Sequence, residues 1–283
     1  MLKSINAQME FLSLWVVSHP IVSKMVEFLY SLPISRHFIP LFCRMFQVNQ
    51  QEAEKPVRSY HSLRDFFIRH LRGGARKICS SNQAVVSPVD GSVVAMGKIR
   101  QNSLLQVKGK SYTLNNLLAS EQNSKRFLNG KYLTIYMSPG KYHRVHAPFD
   151  CKIAETCQIG GLRYPVNHFS LKRVESLYCR NAREVAYLNT GAGDAALIMV
   201  GSCQVGSVHM AVDSRYKNQE SKGIEARRFP ARSFQKGREI GWFDFGSTVV
   251  LLFEPGMIAF SDTLKIGDEV QMGEKIAQFT AQC

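Results

Sequence analysis

From about Val85 onward, turn residues cut the chain into short apolar segments, and that rhythm admits few folds. Val85–Val86, Ser92–Met96, Tyr132–Tyr136, Ala196–Val200, Val205–Val212 and Thr248–Phe253 have the length of strands. Pro88-Val-Asp-Gly91, Ser138-Pro-Gly140 and Glu254-Pro-Gly256 punctuate them. The stretch near Leu114–Leu118 reads as a helix. Near the end, Leu264, Ile266, Val270, Met272, Ile276 and Phe279 are spaced around Gly267 and Gly273, as in a hairpin. The expectation is an α+β protein whose main domain, 59–283, is β-rich and sandwich-like.

The first fifty residues differ. Apolar side chains crowd 11–30, Trp15 and Phe28 among them, and again 38–46, with Arg36, His37 and Arg44 between. Pro20, Pro33 and Pro40 divide the stretch into short helices. No apolar run reaches the roughly 18 residues of a spanning helix. An interfacial anchor lying among lipid headgroups is one reading; a helical hairpin packed on the core is the other. A polar linker, Asn49 to Arg58, closes this section, so residues 1–58 are expected to be a helical, membrane-associating unit.

Lysine and arginine outnumber aspartate and glutamate by 36 to 22, giving +14. Residues 247–283 hold two lysines and five acids, a net of −3, so the remainder carries +17. A basic body suits nucleic acid, an anionic membrane or an acidic substrate. No nucleic-acid-binding signature is present, and anionic lipid remains open. Seven cysteines, an odd number without C-x-x-C spacing, point to a reducing compartment. No secretory signal is visible. The expected location is therefore the cytoplasmic face of a membrane, held peripherally.

Three segments concentrate reactive side chains: Ser87-Pro-Val-Asp-Gly-Ser92, Tyr136–Pro148 with His143 and His146, and Gly241–Gly256 with Gly246-Ser247-Thr248. Each alone has a bland reading as a turn aspartate, polar histidines or a strand entry. Together Asp90, His146 and Ser247 supply a Ser–His–Asp unit, in which an imidazole oriented by a carboxylate takes the hydroxyl proton. Gly-Ser-Thr lacks the G-x-S-x-G elbow of α/β-hydrolases. A zinc hydrolase using His143 and His146 is an alternative that lacks a third ligand motif. Gly191-Ala-Gly-Asp-Ala-Ala196 matches a dinucleotide fingerprint but precedes a strand, so it reads as a turn.

Five segments in order resemble the phosphatidylserine decarboxylase family. They are Phe66–Arg76, Ser87–Ser92, Tyr142-His-Arg-Val-His-Ala-Pro148, Val205-Gly-Ser207 and Lys236–Thr248. Phe245 stands where many members have leucine. The resemblance implies that Ser247, activated by His146 and Asp90, attacks the Gly246 carbonyl and cuts the chain there. The products would be a large chain, 1–246, and a small chain, 247–283, with Ser247 converted to a covalent pyruvoyl cofactor. Its ketone would take up the amine of the serine headgroup and draw off the electrons released as carbon dioxide leaves. His143 is implied as the acid or electrostatic partner, which the near-neutral titration of imidazole would suit. Phosphatidylserine, an anionic membrane and the two chains of one precursor are the implied partners, with a homo-oligomer open, no nucleic acid and no metal. An inactive membrane-bound relative is the remaining alternative.

Overall fold

The structure, a computed structural model, describes residues 18–107, 110–202, 208–212, 223–244 and 247–280. The apolar residues before Ser18, the Val205-Gly-Ser207 motif and Gly246 lie outside the described residues.

Strands follow one another as β1 (Ala84–Val86), β2 (Gly91–Lys98), β3 (Ser103–Val107), β4 (Lys110–Thr113), β5 (Lys131–Met137), β6 (Arg144–His146), β7 (Cys151–Ile159) and β8 (Arg183–Thr190). The second half contributes β9 (Gly193–Val200), β10 (Val208–Met210), β11 (Ile224–Phe234), β12 (Glu239–Phe243), β13 (Ser247–Phe253), β14 (Ile258–Phe260), β15 (Glu269–Val270) and β16 (Lys275–Phe279). Eight form one antiparallel sheet, ordered β11-β7-β8-β9-β13-β5-β2-β15. Two three-stranded sheets, β1-β16-β14 and β10-β12-β6, accompany it.

The sequence of β13 explains its central place. It is apolar from Val249 to Phe253, and all seven of its residues are buried. Antiparallel strands with one wet face alternate; a continuous apolar run belongs where both faces are covered. Val249, Leu251 and Phe253 enter a core shared with Val85, Val145, Ile240, Phe243 and Ile276 of the small sheets. Val250 and Leu252 point the other way, into a core capped by helical residues such as Leu117, Phe127, Leu171 and Tyr178. Each fully buried side chain of this size contributes on the order of 2 kcal/mol.

Helices α1 (Pro20–Ser31), α2 (Ile39–Met45) and α3 (Leu63–Phe67) precede the sheets, with a 3-10 turn over Pro33–Phe38. α4 (Leu114–Leu118), α5 (Glu121–Phe127), α6 (His168–Arg173) and α7 (Leu177–Arg180) lie among the strands. Pro20, Pro33 and Pro40 each sit in the first two positions of a helical segment. There a missing N–H costs nothing and the fixed φ favours the helix. Ile39, Cys43 and Phe42 pack against Tyr60, Leu63 and Phe66 and join the helical section to α3.

Two details depart from the sequence reading. β15 and β16 do not pair as a hairpin: β15 adds to β2, and β16 lies between β1 and β14. The turns at Gly267 (φ 102°) and Gly273 (φ 89°) are where expected, but the flanking strands find distant partners. The segment 49–58 is also more than a polar spacer. Ala53 is buried and bridges to Leu71, the Glu52 carbonyl accepts from the Arg72 N–H at 2.9 Å, and the Glu52 carboxylate accepts from Arg76 Nη2 at 2.9 Å.

Candidate active site at a strand crossing

The chain crosses between two sheets just before Ser247. β12 ends at Phe243, whose N–H donates to the His143 carbonyl at 3.0 Å. β13 begins at Ser247, paired in register with Met137 at the end of β5. Between Phe243 and Ser247 the chain therefore changes from the small sheet β10-β12-β6 to the middle of the large one. The loop between Met137 and Arg144 carries His143 and is tied to both described ends of this change, Met137 to Ser247 and His143 to Phe243.

Ser247 is fully buried, and its hydroxyl contacts Met137 Sδ at 3.3 Å. His143 is fully buried too. Its Nε2 lies 3.1 Å from the Ser138 carbonyl, which only accepts, so Nε2 carries the proton and Nδ1 is bare. That Nδ1 has no hydrogen-bond partner among the described residues. Phe67 of α3 stacks on the ring with centroids 4.1 Å apart. Burial, then the Arg69 charge, lower the His143 pKa to about 3. The ring is uncharged at neutral pH, so the near-neutral titration that suits a proton-donating imidazolium does not hold here. A bare Nδ1 is instead equipped to accept.

His146 ends β6. Its Nδ1 donates to the Gly237 carbonyl at 2.8 Å, and its Nε2 then accepts from the Tyr142 hydroxyl at 3.1 Å. Burial again lowers its pKa, and Asp90 acts on it only through space. Asp90 lies beside it because the His146 N–H donates to the Pro88 carbonyl at 2.9 Å. The Asp90 carboxylate is held elsewhere: by Arg76 Nε, at 2.9 and 3.1 Å from its two oxygens, and by the Met272 N–H at 2.9 Å.

The fold thus gathers the three segments singled out in the sequence, but not as a hydrogen-bonded relay. Neither histidine bonds Ser247, and Asp90 does not bond His146. For His146 to take the serine proton, its Nε2 must first release the Tyr142 hydroxyl. Sequence reasoning missed Tyr142 and Arg76. Both lie inside motifs already singled out, but nothing in their spacing marks the pairings. Burial opposes the charge on Arg76, yet Asp90 and Glu52 outweigh it and raise its pKa. The two histidines turn their protonated nitrogens to different carbonyls, and among the described residues no three His, Cys, Asp or Glu side chains gather as metal ligands.

An apolar cavity of about 440 Å³ opens beside this site. Phe38, Leu41, Phe42 and Met45 of the helical section line one side, Tyr136 and Val166 of the body the other. Phe67 forms part of its wall and is the ring that covers His143.

Residues 63–278 match the family described as phosphatidylserine decarboxylase. The chain belongs to that family. A relative from Brevibacillus brevis, named phosphatidylserine decarboxylase proenzyme, is 37% identical over 248 residues, 87% of this chain and 89% of its own length. Relatives of the same name from Myxococcus xanthus and Bacillus cereus are 37% and 35% identical, over 88% and 86% of this chain and 89% and 87% of their own lengths. The family match begins at α3 and includes the strand crossing with both of its flanks.

Proposed function

We propose that this chain is a self-processing proenzyme that decarboxylates phosphatidylserine to phosphatidylethanolamine with a pyruvoyl group formed from Ser247. The observation that carries the reading is the position of Ser247, a buried serine heading a central strand, preceded by a chain crossing anchored to the loop that holds His143.

Cleavage needs no outside reagent but water. The Ser247 hydroxyl adds to the Gly246 carbonyl carbon, the C–N bond breaks, and the hydroxyl proton ends on the freed Ser247 amine. His146 Nε2 accepts that proton on the way, with Asp90 near enough to favour the imidazolium through space. The ester then eliminates: the Cα proton is removed and the Gly246 carboxylate leaves. Water replaces ammonia on the resulting dehydroalanine. Gly246 offers no side chain to the approaching hydroxyl.

The fold suits two chains that stay together. Residues 247–280 supply β13 between β9 and β5, β15 on β2, and β16 between β1 and β14. The Asp90 carboxylate adds a bond across the cut, to Met272.

His143 supports the fit of the pyruvoyl group: its Nδ1, unpartnered among the described residues, is a buried polar atom in the loop that follows Met137, which pairs with Ser247. The group, once formed, is an electron sink for a departing carboxylate. His143 Nδ1 would accept and return a proton beside it, shielded from water by Phe67. The apolar cavity would take the acyl chains. Ile21, Phe28, Ile34 and Met45, exposed by 70%, 63%, 68% and 65%, would enter the membrane with Lys24, Arg36 and Arg44 at headgroups. No helix among the described residues is long and apolar enough to cross.

Vesicles containing phosphatidylserine test this reading. The purified protein should convert the lipid to phosphatidylethanolamine, and Ser247→Ala should leave it unchanged. Turnover undiminished in Ser247→Ala would contradict the assignment.

A further inference from the structure

A second buried polar cluster lies two residues upstream of the proposed cut and has no part in the mechanism above. Asp244 is wholly buried at the end of β12. Its Oδ2 is 2.9 Å from Arg64 Nη2 on α3 and 2.8 Å from His209 Nε2 on β10. Its Oδ1 has no hydrogen-bond partner among the described residues. The His209 ring stacks on Trp242 of β12 at 4.7 Å and 9°. Glu27 of α1 stands 3.7 Å from the same Arg64 nitrogen.

Burying a carboxylate with one oxygen unpaired is unfavourable, and a hydrophobic residue would fill the place without that cost. The cluster ties α3 to the paired strands β10 and β12. Arg64 comes from α3, His209 from the strand after the Val205-Gly-Ser207 motif, and Asp244 from the chain just beyond β12. Its effect is to fix the upstream side of the crossing just as the pairing with Met137 fixes the downstream side. Attack by a hydroxyl on the adjacent carbonyl requires both sides to be held, because small displacements of reacting atoms cost large factors in rate.

We propose that Asp244, clamped by Arg64 and His209, is a positioning residue for self-cleavage, holding the chain on the upstream side of the Gly246–Ser247 bond. This rests on the assignment of the cut to that bond. The unpaired Oδ1 is free to accept a backbone N–H of the crossing as the attack geometry forms.

The test is the rate at which freshly translated precursor disappears, followed by intact mass in a cell-free synthesis, for wild type, Asp244→Asn, Asp244→Glu, Arg64→Gln and Ser247→Ala. Asparagine keeps the shape and loses the charge. Asp244→Asn should mature about ten- to a hundredfold more slowly, Asp244→Glu should recover part of the rate, and Arg64→Gln should slow it by a smaller factor. Slow Asp244→Asn precursor should resist hydroxylamine, because it is held before the ester forms. A precursor that hydroxylamine splits at Ser247 would place the block after attack and overturn the proposal. Wild-type maturation rates in Asp244→Asn would overturn it too. If that variant does not fold, Arg64→Gln decides: a wild-type rate there is equally fatal, since its side chain is one-third exposed and its loss leaves the core intact. Wild type cut elsewhere, or not cut, would instead remove the assignment beneath the proposal.

Discussion

The helical section from α1 to α2 and the strand β13 are both dense in large apolar side chains, yet the fold uses them in opposite ways. Every side chain of β13 is buried, between two cores. In the helical section Ile39 and Cys43 are buried, while Ile21, Met25, Phe28, Leu29, Ile34, Phe38, Leu41 and Met45 face outward. Composition alone does not separate the two. What separates them is whether packed layers cover both faces, which is a property of topology. Apolar surface committed to the fold contributes stability; apolar surface left outside is available to a lipid.

The largest effect should come from cutting into β13. Leu251→Ala in the uncut Ser247→Ala background should lose about 2–5 kcal/mol in urea unfolding, because a sheet covered on both faces cannot collapse into the cavity. A loss below about 1 kcal/mol would mean that β13 is less tightly enclosed than the two cores imply.

An intermediate effect lies where the two regions meet, at the stack of Phe67 on His143. The His143 pKa is about 3 in the folded chain and about 6.5 unfolded. Between those values the unfolded state binds a proton that the folded state does not. Stability should therefore fall as pH drops from about 6.5 toward 3, by up to about 1.4 kcal/mol per pH unit. His143→Phe should flatten that part of the profile in pH-dependent unfolding; an unchanged slope would show that His143 is not the group responsible.

The smallest effect on stability should come from the outward face. Phe28→Ser with Ile34→Ser should change unfolding by only about 0.5 kcal/mol. The same pair should weaken sedimentation with anionic vesicles by on the order of tenfold. Loss of stability without loss of vesicle binding would reverse the comparison.

Much of the fold was legible in local signals. β2, β5, β9 and β13 fall where short apolar segments predict them, the helix at Leu114–Leu118 is present, and Gly191 and Ala192 turn between β8 and β9. The order of the strands was not legible, because β13 finds β5 and β9 across long stretches of sequence, and periodicity carries no information about distant partners. The same limit hid the separation of β15 from β16. At the site, residue types and motif order singled out Ser247, His143, His146 and Asp90, and the fold brings their segments together. Sequence could not show that Arg76 and Met272 occupy the Asp90 carboxylate, or that Tyr142 occupies His146. Nor could it show that Phe67 buries His143 and keeps it uncharged. Those are consequences of burial and of which neighbours arrive.

The central claim is the cut before Ser247, and intact mass of the purified protein tests it most directly. The account requires two chains, 1–246 and a 37-residue chain spanning 247–283, the latter lighter by one ammonia than the same peptide beginning with serine. Both should be absent from Ser247→Ala. A well-folded wild-type protein of single, full-length mass would contradict the account.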